Sequence, residues 1–204
     1  MSLRIKPSHW GWGIKLSRYT VIYDACVLYP APLRDFLMEL ATAQLYRAKW
    51  TNRIHDEWIE NLLDQRPDLN RAQLTRTREL MDAAVMDCLV GGYEQLESAL
   101  TLPDPNDRHV LAAAIHTGAD AIVTFNLKDF PASELSKYDI EVLHPDEFIH
   151  HQFGLQNSAV IIAAQRCRAR LKNPPLAAAE YLDALARQSL PKTVAELLPY
   201  STII

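Results

Sequence analysis

The run Tyr19 to Tyr23 is apolar along nearly its whole length and stops on an acid, Asp24. A strand with one face in water alternates apolar and polar residues, whereas a strand covered on both faces does not. The run therefore reads as a central strand of a parallel sheet, which requires helices to cover the sheet on both sides. Asp120 to Phe125 repeats the pattern, and Ile140 to Leu143 is a further strand of the same kind. Asp87 to Val90 is a short candidate strand before the Gly91-Gly92 break.

Helical spacing fills the intervals. Pro30 and Pro32 introduce a helix predicted over Leu33 to Lys49, with Leu33, Phe36, Leu37, Leu40, Ala41 and Leu45 on one face. Thr51 or Asn52 caps a second helix that carries Ile54, Trp58, Ile59 and Leu62 and is closed by Pro67. A third covers Asn70 to Ala84. After the loop Pro103-Asp104-Pro105, Asn106 or Asp107 opens an alanine-rich helix that ends at Thr117, with Gly118 as its stop. Strands alternating with helices make βαβ units and a parallel α/β fold. Beyond about Asp146 the apolar spacing is helical only. The expected organisation is an N-terminal extension over 1–18, an α/β domain over 19–149 and a helical C-terminal extension over 150–204. Trp10 and Trp12 give the first segment apolar surface to pack against the body or a second subunit.

Composition narrows the setting. Of the 204 residues, 49% are hydrophobic and 23% charged, as in an ordinary globular protein. No stretch approaches the roughly 18 consecutive apolar residues of a membrane helix, and the first residues lack the apolar segment of a secretory signal. Cys26, Cys88 and Cys167 are odd in number and widely spaced, which predicts reduced thiols and a cytoplasmic location. The net charge of -4 and pI near 6.0 weigh against a nucleic-acid partner unless Lys and Arg are clustered away from the acids.

The acids are the informative residues. Ligands of a parallel sheet sit beyond the carboxyl ends of its strands. Asp24 ends the first strand, while Asn126 and Asp129 directly follow the strand that ends at Phe125. Helices that leave those strands begin on the same rim, so Asp107 and Glu57, early in theirs, point there too. Asp107 alone reads equally well as a helix cap, Asp129 as a turn residue, and Glu57 as a solvated charge with Glu60 an equal candidate. Asp24 is harder to place otherwise, because an acid ending a buried strand is costly unless paired or bound to metal. Together they predict a hard-cation site, and such crowding predicts that at least one acid holds a proton in the metal-free protein.

At this point the segments VIYDACVLYP, HDEWIENLL and DPNDRHVLAAAIHTGADAIVTFNLKDF, in that order, resemble the PIN domain, including the VapC-like toxins of bacterial toxin–antitoxin pairs. The resemblance covers roughly Tyr19 to Asp146. It implies a three-layer α/β/α fold and a Mg2+- or Mn2+-dependent ribonuclease that hydrolyses RNA by in-line attack of a metal-bound water. By that resemblance Asp24, Glu57, Asp107 and Asp129 are the catalytic, metal-binding acids. Asp104 is an auxiliary metal acid, and Asn126 shapes the site. Asn106 stands where some relatives carry an acid, which weakens a second metal. The resemblance also implies a homodimer and an antitoxin protein laid across the acidic rim, and it assigns no role to the C-terminal extension.

Arg53, Arg108 and Lys128 neighbour the acids in sequence and are the candidates for RNA contact. Arg166, Arg168, Arg170 and Lys172 form a basic run that helical spacing splits between two faces. The non-enzymatic rival is a PIN-like scaffold that binds RNA or protein without cutting, and loss of one of the acids would favour it. His55-Asp56 lacks the further histidines of a phosphohydrolase, and His109 and His116 read as structural or solvated. No glycine-rich phosphate loop is present.

Overall fold

In the computed structural model, which describes residues 19–204, the first apolar run forms β1 (Thr20–Tyr23). Val21, Ile22 and Tyr23 are wholly buried. It is followed by α1 (Ala25–Leu28), α2 (Ala31–Thr42), β2 (Arg47–Thr51), α3 (Asn52–Gln65), α4 (Arg71–Ala84) and β3 (Leu89–Val90). Then come α5 (Arg108–Thr117), β4 (Ala121–Val123), α6 (Ala132–Leu135), β5 (Glu141–Leu143), α7 (Pro145–Arg170), α8 (Ala178–Ala186) and α9 (Pro191–Leu197). The sheet has five strands in the order β3-β2-β1-β4-β5, every pair parallel. Helices flank it, giving the α/β/α architecture with a helical C-terminal part. Trp10 and Trp12, with the rest of residues 1–18, lie outside the described residues.

The caps follow from the residues. The side chain of Thr51 accepts the Ile54 amide and starts α3; Asn70 and Gln73 form a reciprocal capping box on α4. Gly118 adopts the left-handed conformation (φ 59) that ends α5.

One expected element needs correction. The helix predicted from Leu33 to Lys49 ends at Thr42, and its last part is the strand β2. Gln44 takes a left-handed backbone (φ 57) that an α-helix does not tolerate, so the chain turns there. Arg47 to Thr51 then pairs with β1, with Ala48 and Trp50 buried beneath the charged Arg47 and Lys49. Apolar spacing through Leu45 concealed the change of period, because nothing about glutamine advertises a left-handed turn. Trp50 repays the rearrangement with contacts a helix would not give. Its ring stacks on Tyr23 at 6.1 Å, and its Nε1 donates to Asp82 Oδ1 at 2.8 Å.

The C-terminal helices are tied to the α/β body by specific polar contacts. α7 crosses residue 150 as helix and departs from helical geometry at Gln156. Its Phe148 is buried edge-on to Tyr46, with ring centroids 4.7 Å apart. The Asp146 carboxylate is buried and accepts the amides of Lys192 (2.9 Å) and Thr193 (2.8 Å) and the Thr193 hydroxyl (2.8 Å), so one side chain anchors the start of α9. Arg166 and Arg170 pair with Glu39 of α2. Arg168 donates to the carbonyls of Ile204 (2.8 Å) and Leu176 (2.9 Å). These arginines of the basic run therefore have partners within the protein.

Asp146→Ala would leave two amides and a hydroxyl without their charged acceptor. The expected cost is about 3 kcal/mol, read as a fall in melting temperature of roughly 6–12 °C for a chain of this size. An unchanged melting temperature would show that α9 is held by packing alone.

Candidate active site

The strand order reverses direction at β1: the chain steps outward to β2 and β3 on one side, then returns to β4 and β5 on the other. The crevice between β1 and β4, beyond their carboxyl ends, is where such a sheet offers a binding site. Register fixes what stands there. Tyr23 pairs with Val123, so the next residues, Asp24 and Thr124, emerge side by side. The Thr124 hydroxyl donates to Asp24 Oδ2 at 2.6 Å, and the Cys26 thiol donates to the same oxygen at 3.0 Å. Thr124 Oγ1 in turn accepts the Asn126 amide at 2.9 Å, and Cys26 Sγ accepts the Phe125 amide at 3.3 Å. Asp24 is thus buried and oriented, and among the described residues its Oδ1 takes no hydrogen bond.

Asp107 lies in the 3-10 turn Pro105–Asp107 that leads into α5, with Asp104 capping that turn by accepting the Asn106 amide at 2.8 Å. Asp107 Oδ2 is buried without a hydrogen-bond partner. Its carboxyl is pushed up to about 6, first by burial and then by the charges of Asp24, Asp104 and Asp129. Asp107 is thus the acid of this group whose ionised form is disfavoured, by burial first and then by its acidic neighbours. Asp129 sits in the turn Leu127–Asp129 that follows β4, where Asn126 is the preceding residue and accepts the Asp129 amide at 3.0 Å.

Glu57, half-exposed on α3, is held by His109 of α5: His109 Nε2 lies 2.9 Å from Glu57 Oε1, and Arg53 Nε donates to the same oxygen at 3.3 Å. The rival Glu60 faces away, bound to Arg71 at 2.7 and 2.8 Å. Arg53 also reaches Glu97 (3.1 Å) and the Asn106 carbonyl (3.2 Å), so it braces the rim. Arg108 is half-buried with its Nε unpartnered, and Lys128 is exposed. The His55-Asp56 pair splits: His55 is buried against Asp82 at 2.9 Å, and Asp56 is exposed against Arg78 at 3.1 Å.

Three contributors escaped the sequence reading. Thr124 and Cys26 sit within segments that were singled out, but only the β1–β4 register shows that both aim at Asp24. His109 follows Asp107 by two residues and is buried, so its partnership with Glu57 depends on how α3 and α5 approach.

The donor set suits a hard cation, being carboxylate oxygens with Asp24 Oδ1 and Asp107 Oδ2 free of hydrogen bonds. Among the described residues, no three His, Cys, Asp or Glu side chains are already drawn together as a ligand set.

The five-stranded parallel sheet with flanking helices, and acids that follow the ends of β1 and β4, defines an α/β protein with a candidate site at its switch point. The family model of the PIN domain matches residues 20–128, and that of the VapC50 C-terminal domain matches residues 145–199. The chain belongs to the PIN-domain family. It is 40% identical over 97 residues to a Mycobacterium tuberculosis protein named "Putative ribonuclease VapC50", a match covering 48% of this chain and 57% of that relative. No solved structure matches the chain.

Because the ionised Asp107 is disfavoured in the fold, its raised carboxyl lowers stability. The penalty is absent below the ordinary value of 3.8, grows as pH rises, and is complete above about 6. In excess chelator, Asp107→Asn should therefore melt higher than the parent at pH 7.5, and the difference should vanish near pH 4. A lower melting temperature at pH 7.5 would give Asp107 a structural pairing role instead.

Proposed function

We propose that the protein is a metal-dependent endoribonuclease that hydrolyses RNA phosphodiester bonds and acts as the toxin of a toxin–antitoxin pair. The observation that carries the reading is geometric: half-buried Asp107 has its Oδ2 buried without a hydrogen-bond partner, in a setting where burial and the charges of Asp24, Asp104 and Asp129 disfavour its ionised form. Such an arrangement is unfavourable in itself and becomes favourable when a cation enters. Residues 19–149 form the nuclease domain in this reading, and 150–204 an extension of it.

Asp24, Asp107, Asp129 and Glu57 would hold Mg2+ or Mn2+, with Asp104 as an auxiliary acid. When bound, the ion lowers the pKa of a coordinated water and neutralises charge on the phosphoryl oxygens. The protein's own residues supply the rest. Thr124 and Cys26 fix one oxygen of Asp24, leaving the other to face the cation. His109 and Arg53 hold Glu57 in the same manner, and through Glu57 they couple α3 to the rim. Asn126 sets the turn that carries Asp129. Lys128 and Arg108 are assigned to the RNA backbone, which is polyanionic and would otherwise be repelled by the acids.

The likeness to the mycobacterial relative and the matched C-terminal domain support the toxin reading and, with it, an antitoxin partner; a homodimer is proposed from the resemblance of the sequence alone. A cytoplasmic location belongs to the same proposal; no helix among the described residues is long and apolar enough to cross a membrane.

The test is cleavage of single-stranded RNA by the purified chain. Products with 5′-phosphate ends should form in Mg2+ or Mn2+ and cease in excess chelator. Asp24→Asn and Asp107→Asn should each slow cleavage about a hundredfold or more while remaining folded, since each removes a charged oxygen from the ion. Metal-independent RNA binding with no cleavage would favour the scaffold reading.

A further inference from the structure

Thr124 and Cys26 are each oriented by a backbone amide. The Thr124 hydroxyl oxygen accepts the Asn126 amide at 2.9 Å, and the Cys26 sulfur accepts the Phe125 amide at 3.3 Å. An amide only donates, so the hydrogen of each side chain is left for an acceptor on its other side. Both donate to Asp24 Oδ2, at 2.6 and 3.0 Å. A carboxylate oxygen offers about two lone pairs, so two donors fill it. Oδ1 of the same buried carboxylate takes no hydrogen bond among the described residues.

Glu57 repeats the arrangement from another element. Arg53 Nε donates to Oε1 at 3.3 Å and His109 Nε2 lies 2.9 Å from the same oxygen, whereas Oε2 has no hydrogen bond or ion pair among the described residues. Asp104 has its Oδ1 engaged by the Asn106 amide at 2.8 Å. Three acids therefore each have one oxygen occupied, and a cation among them is offered single oxygens instead of chelating pairs. Divalent ions differ in their need for such pairs. Mg2+ demands a near-ideal octahedron of about six oxygens, several of them waters, whereas Ca2+ takes about six to eight and accepts both oxygens of one carboxylate.

We propose that Thr124, Cys26, Arg53 and His109 are positioning residues that select the cation: by filling one oxygen of Asp24 and one of Glu57 they restrict each acid to a single metal bond, which favours Mg2+ or Mn2+ over Ca2+. The proposal rests on the metal-dependent reading above and adds to it what sets the identity of the ion. Residues that only held the fold together would support every divalent ion alike, so the ratio of two affinities separates selection from structure.

The experiment titrates the full chain with Mn2+, read by the paramagnetic resonance of the free ion, and then displaces bound Mn2+ with Ca2+ at constant ionic strength. The parent should bind Mn2+ at least about tenfold more tightly than Ca2+, the scale on which residues around a metal's ligands act. Cys26→Ala and Thr124→Val each release a lone pair on Asp24 Oδ2 and should narrow that ratio about fivefold or more. Cys26→Ser and Thr124→Ser, which keep a donor, should retain the parent ratio. Arg53→Met, at a half-exposed position, should narrow it from the side of Glu57, since the lost charge affects both ions alike. Thr124 is wholly buried and Cys26 is not, so Cys26→Ala carries the test where Thr124→Val fails to fold. A parent with equal affinities, or variants that lose Mn2+ and Ca2+ in the same proportion, would overturn the selection while leaving the ribonuclease reading intact. A parent chain that binds neither ion would remove both.

Discussion

The hydrogen bond from Thr124 to Asp24 joins the two strands whose carboxyl ends define the site. It exists because β1 and β4 pair in the register that sets Tyr23 beside Val123, and that register is held by the wholly buried residues on both strands. A slip of one residue would turn every side chain of a strand to the opposite face and carry Asp24 away from the hydroxyl. Core packing and site geometry are therefore one constraint: Val21, Ile22, Ile122 and Val123 place the carboxylate as surely as the polar atoms hold it.

Around that bond several acids are paired while one is left crowded. Glu57 has His109 and Arg53, Asp146 has the amides of α9, and Glu39 has two arginines. Asp107 alone of these acids is pushed up by neighbours of its own sign. Asp107 keeps one oxygen unpartnered at the switch point, and in the proposed function a divalent cation would resolve it. In the proposed function a bound ion would supply the positive charge that a net charge of -4 lacks.

Much of this arrangement was legible in the sequence. The uninterrupted apolar runs gave the central strands, and Pro, Asn and Gly at helix ends marked α3, α4 and α5. The placement of acids just after strands pointed to the end of the sheet where Asp107 feels the charges of Asp24, Asp104 and Asp129. What escaped was whatever depends on the approach of distant segments. β2 hides behind a helical spacing that continues to Leu45 and breaks only at the left-handed Gln44. Glu57 and Glu60 are indistinguishable until Arg71 is seen to take one and His109 the other. Arg53 stands beside the acids in sequence yet serves as a brace between Glu57, Glu97 and the Asn106 carbonyl.

The claim on which the account turns is that these separated carboxylates share a cation. Anomalous diffraction from crystals of the protein grown in Mn2+ locates that ion directly. The account predicts a peak in contact with carboxylate oxygens of both Asp24 and Asp107, lost in crystals of Asp24→Asn. A saturating soak that leaves no peak there, or a peak that touches neither residue, would contradict it.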